Sequence, residues 1–372
     1  MKNKIYKYDF LVVGGGLIGA LTAFALHKKN FRVLVVDKQN DTSTDKRTLA
    51  VNANSKEFLE RLGIWENISS KPQNINKIVI KDYVNTAPLL FINKNEPMGN
   101  VIFNRELHEI VIKRLKNLKL LKSKINLNYE DIIPLKPLKI NNRIYLFKKI
   151  VISIGKNINL KSQKSILFEN GHHSYVGFFN HENDHKNTAF EFFKKEGPLA
   201  VLPSPFINRR KSTFIFSTNK NISNTKLHSM IKKNLHLTHG HLKFDKSINK
   251  FPITPHLKKF EKDFIFIGDS LRSIHPVAGQ GWNLGIKDIQ TLCKLTEQYQ
   301  IESKFFNSIY YSRRIFDSTI YLGFTSLINF LYENQNPINR IFIKAGYEGL
   351  RNLKFVRELF IKQAMGRFNL ID

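Results

Sequence analysis

Four groups of residues in this sequence have types and spacings suited to chemistry. The first is Gly14-x-Gly16-x-x-Gly19, followed eighteen residues after Gly19 by Asp37. In a strand–turn–helix–strand setting, Gly14 makes the turn, Gly16 lets a pyrophosphate approach and Gly19 lets helix and strand pack. Asp37 then ends the second strand and can accept hydrogen bonds from a ribose diol. The second group is Gly268-Asp269, directly after the apolar run Phe264–Ile267, at a strand end where α/β sheets meet ligands. The third is His275-Pro276, and the fourth is Gly279-Gln280-Gly281-Trp282-Asn283, which leads into a helical segment. Glycines there allow close backbone approach, and N–H groups at a helix start stabilise negative charge. His275 is the one titratable side chain near this corner, able to assist proton movement or to stabilise the turn.

The elements needed to position these groups are legible nearby. Phe10-Leu11-Val12-Val13 reads as a buried strand, Leu17 to Lys29 as a helix, and Arg32–Val36 as the second strand. The first fingerprint alone leaves NAD and FAD both open. Ser55 to Leu62 reads as a capped helix with Gly63 beyond it, and Glu106–Leu118 has apolar residues at helical spacing. From about Ile75 the pattern turns to short β-rich runs, Ile78–Ile80 and Leu89–Ile92. Further such runs lie between His172 and Ile253. Beyond Asp288 the chain reads as helical. Phe324, Leu327, Ile328 and Leu331 form one apolar face, and Leu353, Val356, Leu359 and Phe360 form another, flanked by Lys354, Arg357, Lys362 and Arg367. Such a basic amphipathic helix can pack on the protein or lie on an anionic bilayer.

The ordered set Gly268-Asp269-Ser270, His275-Pro276 and Gly279–Asn283 resembles the second FAD motif of single-component aromatic hydroxylases of the para-hydroxybenzoate hydroxylase fold. It is most similar to that of the ubiquinone-biosynthesis ring hydroxylases. Leu62-Gly63-Ile64-Trp65, Ala189–Phe193 and Gly197–Pro203 also resemble that family, and the likeness runs from Asp9 to about Gly366. It implies an α/β fold: a Rossmann-like FAD-binding domain interrupted by a mainly antiparallel β-sheet substrate domain, with C-terminal helices. The expected division is 1–74, 99–160 and 261–300 for the FAD-binding domain, 75–98 and 161–260 for the substrate domain, and 301–372 for the helices.

The same resemblance implies site roles. Asp269 would hydrogen-bond the ribityl chain of FAD, while Pro276 and the backbone of Gly279–Asn283 would line the isoalloxazine ring. Arg47, in Asp45-Lys46-Arg47, and Asn104 would lie near the cofactor, and the strand within Gly197–Pro203 would face the substrate. The implied reaction is FAD-dependent hydroxylation of the aromatic ring of a polyprenylated ubiquinone precursor through a flavin C4a-hydroperoxide, with NAD(P)H as a transient reductant. The family pattern has an Asp-Gly pair after the strand that here reads Lys149–Ser153, but Ile154-Gly155 stands in its place. An isoleucine cannot carry charge or accept a hydrogen bond. That departure keeps a non-catalytic member of a ubiquinone-biosynthesis assembly as an alternative, beside a prenyl reductase of the same fold.

Composition sets outer limits. Lys and Arg number 59 against 30 acidic residues, a formal charge of +29. The charge is spread along a Lys- and Asn-rich chain, without zinc-finger spacing or an RNA-recognition signature, so no nucleic-acid partner is expected. An anionic membrane face and other ubiquinone-biosynthesis proteins remain candidate partners. Cys293, the single cysteine, excludes an intrachain disulfide and reads as inert core. No apolar run reaches a membrane span, and Met1–Phe10 leads straight into a strand, so neither a span nor a signal peptide is expected. The expected place is the cytoplasm, with a peripheral position on the cytoplasmic face of the inner membrane. His181-Glu182-Asn183-Asp184-His185 spells the letters of a zinc-protease motif. Its Asn- and Asp-rich surroundings favour a turn between strands, and no metal is expected.

Overall fold

The structure is a computed structural model that describes residues 4–39, 45, 47–85, 87–157, 165–167, 171–206, 208–276, 279–334 and 336–367. Lys46, within the expected Asp45-Lys46-Arg47 loop, and the expected domain boundary at 160–161 lie outside the described residues.

Strand Ile5–Val13 is central in a parallel sheet. Its neighbours are Val33–Val36 on one side and Arg143–Ile152 on the other. Leu121–Lys122 pairs beyond the former, Phe264–Phe266 beyond the latter, and Leu138–Ile140 adds a short antiparallel hairpin to Arg143–Ile152. Both faces of this sheet are covered, which is why its strands read as continuous apolar runs. Phe10, Val12, Val33 and Val35 face a core shared with helices Leu17–Lys28, Asn104–Asn117 and Gly281–Gln298. Leu11, Leu34, Ile150 and Ile152 face a second core with Tyr129, Tyr145 and Phe147. The chain leaves Ile5–Val13 in both directions along the sheet, so the carboxyl ends of the strands bound a crevice at a topological switch point.

Helix Ala53–Arg61 starts at Asn52, whose side chain accepts from the Ser55 N–H at 2.8 Å. Helix Asn104–Asn117 and helix Leu17–Lys28 lie within one or two residues of the sequence expectation. A second, eight-stranded sheet is mainly antiparallel. Its order is Leu242–Phe244, His172–His181, Lys211–Thr218, Leu199–Pro203, Thr188–Phe193, Lys77–Asp82 and Leu89–Ile92, with Asn249–Ile253 also paired to His172–His181. One of its pairings, Thr188–Phe193 with Lys77–Asp82, is parallel. Helix Asn224–His239 packs Leu227, Ile231 and Leu235 on one face of this sheet, against Tyr175, Phe179, Leu199, Val201, Phe214 and Phe216. Because alternate residues of a strand point to opposite faces, Ser174, Val176 and Ile215 are left facing the crevice. A small sheet of Thr48–Asn52, Gly99–Phe103 and Gln73–Ile75 bridges the two regions.

Helices Phe306–Glu333, Pro337–Asn352 and Lys354–Ala364 follow. Their packing decides what the sequence left open. Ile328 and Phe360 are packed inward, Phe360 with its ring 4.3 Å from that of Phe91. Phe324, Leu327 and Leu353, on apolar faces for which packing on the protein and contact with a bilayer were both open, are exposed. Helix Phe306–Glu333 spends its inward face on Arg314, Asp317, Ser318, Leu322, Thr325 and Asn329, so its apolar stripe has nowhere to turn but outward. No described helix is long and apolar enough to cross a membrane.

Candidate functional site

Four strand ends converge on one cavity of about 950 Å³. Val13 delivers Gly14–Ile18, Val36 delivers Asp37, Ile152 delivers Ser153–Lys156, and Phe266 delivers Gly268 and Asp269 to its walls. Gly16 and Asp269, far apart in sequence, thus face the same space. Arg47, Asn104, Pro276, Gly279 and Gly281 line it too.

The glycine corner is built by contact. A Cβ on Gly14 would sit 2.2 Å from the Ser153 carbonyl oxygen, and one on Gly19 would sit 2.0 Å from that of Gly14. Neither can be anything but glycine while sheet and helix stay this close. At Gly16 a Cβ would meet nothing within 4 Å, because that position opens on the cavity. Gly16 is also the N-cap of helix Leu17–Lys28; no side chain caps this end and its first turn carries no acidic residue. Helix Gly281–Gln298 likewise starts at the cavity with no side-chain cap and no acid in its first turn. Two sets of unsatisfied helical N–H groups therefore point into one space, as an anionic ligand requires.

The Asp37 carboxylate accepts from the N–H of Gly15 and, at 2.6 Å, from that of Gln39. His108 Nε2 donates to the Gly15 carbonyl at 2.9 Å. Asp269 sits in the short turn Gly268–Ser270, with its side chain exposed to the cavity. The turn is held from behind. The Gly268 N–H donates to Asp288 Oδ2 at 2.9 Å, and the ring of His256 lies 3.0 Å from the Asp269 carbonyl.

Arg47 is chelated by Asp45, with Nε 2.9 Å from Oδ1 and Nη2 2.6 Å from Oδ2, and its guanidinium lies 4.8 Å from the Phe251 ring centroid. Asn104 Nδ2 donates to Asp45 Oδ2 at 2.6 Å. Burial alone would raise the Asp45 carboxyl, but Arg47 and Asn104 outweigh it and hold it below its ordinary value. Lys156 donates to the Pro252 carbonyl at 3.0 Å, and desolvation lowers its pKa despite the nearby Asp269. The cavity lining thus carries the cations Lys38, Arg47 and Lys156 and the carboxylates Asp37, Asp45, Glu130 and Asp269, with the apolar Ile154 among them.

Four expected site residues do not line the cavity, the first being Gly19, which packs its helix against the Gly14 carbonyl. Asn283 donates to the Ala50 carbonyl at 2.9 Å and accepts from the Asn52 N–H at 3.1 Å, tying the glycine loop to strand Thr48–Asn52. Gln280 caps the helix start with its backbone. His275 is buried with its ring 5.6 Å from that of His172, and burial pushes its pKa down to about 3. A neutral ring turned away from the cavity packs the loop; Ile274 and Pro276 on either side face inward.

Of the strand expected to face the substrate at Gly197–Pro203, Ala200, paired opposite Ile215, and Leu202 share the crevice-side face, but none of its residues lines the cavity. Leu199 and Val201 point into the core under helix Asn224–His239. The apolar wall comes instead from Leu49, Val176, Ile215, Phe251, Ile253 and Trp282. These were missed because the sequence shows that a strand alternates, not which of its faces meets a crevice. His181 closes strand His172–His181 and His185 lies in the following turn, so the segment does join strands, but both histidines are buried rather than solvated. Among the described residues no cluster is arranged to hold a metal.

A flavin dinucleotide fits this cavity on three observations: Gly16 opens on it, two uncapped helix starts face it, and the buried donor Trp282 Nε1 and the buried acceptor His108 Nδ1 on its wall have no protein partner. Residues 7–121 match the family described as FAD binding domain. The chain is 22% identical to the ubiquinone hydroxylase UbiL of Rhodospirillum rubrum, over 97% of this chain and 90% of the relative. It is 23% identical to the 3-demethoxyubiquinol 3-hydroxylase of Escherichia coli, over 96% and 98%. Among solved structures, p-nitrophenol 4-monooxygenase PnpA of Pseudomonas putida superposes with a TM-score of 0.75 at 14% identity, covering 98% of this chain and all of that one. The chain thus carries an FAD-binding domain over residues 7–121, is similar along nearly its whole length to ubiquinone-biosynthesis hydroxylases, and shares the fold of a flavin monooxygenase.

Proposed function

We propose that this protein binds FAD across the two glycine corners and hydroxylates the ring of a polyprenylated phenol or quinone precursor of ubiquinone. The observation that carries the reading is one cavity that joins Gly14–Gly16, Asp37 and Asp269 to the apolar wall of Val176, Ile215, Phe251 and Ile253. Its volume of about 950 Å³ leaves room for a ring beside a dinucleotide.

In this reading the helix start at Gly16 holds the pyrophosphate, Asp37 the adenosine ribose, and Asp269 the ribityl chain. Arg47 and Asn104 close over the cofactor, locked to each other through Asp45. Gly279 and Gly281 present backbone to the ring system, and the start of helix Gly281–Gln298 favours negative charge there. When bound, FAD supplies the oxygen activation and oxygen transfer. The protein's work is to orient the substrate ring and to exclude water with the apolar wall. NAD(P)H would act as a reductant that binds transiently, in a cavity where Ile154 offers it no carboxylate.

The test is to purify the protein and record a flavin spectrum. Quinone intermediates are then profiled by mass spectrometry in a strain lacking the gene. Accumulation of an under-hydroxylated polyprenyl intermediate is expected; a normal ubiquinone profile with no such intermediate overturns the assignment. Ile154 also favours a second reading, a member of a biosynthetic assembly that does no chemistry. That reading predicts no bound FAD and a loss of hydroxylation by partner enzymes when the protein is removed.

A further inference from the structure

The outward face of the C-terminal helical hairpin carries large apolar side chains in open solvent. On helix Phe306–Glu333, Phe324, Leu327 and Phe330 are each 54% exposed. On helix Pro337–Asn352, Ile341 and Phe342 are 66% and 62% exposed. They share an origin in the packing. The first helix turns Leu322, Thr325 and Asn329 inward, and the second turns Asn339, Ile343 and Tyr347 inward, so the remaining faces look out. The hairpin is fixed rather than loose. Asn336 caps the second helix by accepting from the Asn339 N–H at 2.7 Å, Asn339 Nδ2 donates back to the Asn334 carbonyl at 2.6 Å, and Tyr347 donates to the Ala87 carbonyl.

We infer that this face docks on an anionic lipid bilayer, with Phe324, Leu327 and Phe342 entering the acyl boundary. Charge selects this occupant over a protein partner. Residues 337–364 carry six cations, Arg340, Lys344, Arg351, Lys354, Arg357 and Lys362, against Glu348 and Glu358. Arg340 and Lys344 flank Ile341 and Phe342 in sequence and are themselves exposed. Lysine beside exposed aromatics suits a headgroup layer, whereas protein interfaces are depleted in lysine. The whole chain adds its charge of +29 to that attraction. On the first helix the exposed apolar residues run from Phe316 to Phe330, about 21 Å of rise, which matches a plane better than a pocket. The polyprenyl-substrate reading supplies the reason a bilayer would be visited; the face itself is defined by exposure and charge.

The experiment is flotation of the purified full-length protein with vesicles of phosphatidylcholine alone or with phosphatidylglycerol. Binding to the anionic vesicles and weak binding to the neutral ones are expected. Phe324→Glu with Phe342→Glu should lower anionic-vesicle binding by about tenfold or more. Arg340→Glu with Lys344→Glu should lower it by about fivefold per charge removed. Both variants should keep the parent's thermal midpoint and flavin content, because the altered side chains touch solvent. Leu327→Trp should give a blue-shifted emission on mixing with anionic vesicles. Failure of the parent to float, or unchanged flotation of the Phe→Glu variant, overturns the proposal. So does a dimer seen by light scattering that the same variant dissociates while vesicles are ignored. Flotation does not require FAD, so vesicle binding without hydroxylation would refute the enzymatic reading alone.

Discussion

Asp288 is the residue on which the second glycine corner rests, and its replacement by asparagine tests that directly. The carboxylate is fully buried; it accepts from the Gly268 N–H at 2.9 Å, from Arg272 Nη1 at 2.8 Å and from Arg314 Nε at 2.7 Å. Both arginine side chains are themselves 2% exposed, and Arg314 has a second partner in Asp317 at 2.8 Å. Burial alone would lower the Arg314 pKa, yet Asp288 and Asp317 together hold it above the ordinary value. Asp288→Asn keeps the shape and removes the charge, leaving Arg272 with no carboxylate in reach and two cations facing each other. Breaking a buried pair in this way costs about 3–5 kcal/mol. At about 2.1 cal/mol/K of unfolding entropy per residue, each kcal/mol lowers the midpoint of a chain of 372 residues by about 1.3 °C, so a fall of about 4–6 °C is expected. Circular dichroism during heating measures it. The amide also has one oxygen to share between Gly268 and the arginines, so the turn that presents Asp269 loosens and bound flavin is lost on gel filtration. Adding Arg272→Met to the asparagine variant should recover part of the midpoint, since it removes the stranded cation. A midpoint within 2 °C of the parent, with flavin retained, refutes the reasoning.

Gly16→Ala should fold with an unchanged midpoint, because its Cβ meets nothing, but should bind FAD at least tenfold more weakly by fluorescence titration, since the methyl fills the phosphate approach. Gly19→Ala should instead fail to accumulate as soluble protein, its Cβ colliding with the Gly14 carbonyl. Burial depresses the histidines His185, His239 and His275, to about 4, 3 and 3 respectively. Their ordinary value is near 6.5, so the unfolded chain takes up protons first as pH falls, and stability present above pH 6.5 is lost progressively towards pH 4. Each contributes about 1.4 kcal/mol per pH unit within that window. Urea midpoints at pH 7.5, 6 and 5 measure the slope, and a flat profile from 6.5 to 5 contradicts it. Ile215→Trp should block the apolar wall, abolishing substrate turnover while leaving the flavin spectrum and FAD affinity intact. The Cys293 thiol, pushed up to about 12 by burial, should resist a thiol reagent until the protein is unfolded in denaturant.

Several features were readable from sequence for local reasons. A strand, a turn and a helix start are set by neighbours within a few residues, and Gly14, Gly16, Gly19 and Asp37 occupy such a unit. The same holds for Gly268-Asp269 and the loop to Asn283. Their types follow from backbone sterics and orphaned helical N–H groups, which any packing must respect. What sequence could not decide was orientation. The alternation in Gly197–Pro203 is real, but only the docking of helix Asn224–His239 decides that Leu199 and Val201 face away from the crevice. His275 sits beside Pro276 in the chain, yet the packing of its ring by His172 removes it from the cavity that Pro276 lines.

The terminal helices give the same lesson in reverse. Their period of 3.6 announced an apolar stripe but left open whether it packs on the protein or faces outward. Arg314 has to meet Asp288 and Asp317 has to meet Lys287, and that buried charge network fixes the helix rotation. Phe324 and Leu327 are carried outward with it. The sequence by itself determined two nucleotide corners, a central strand and the rhythm of each element, because those depend on contacts close along the chain. Only the tertiary structure decided which faces meet, since that choice is made between residues hundreds of positions apart.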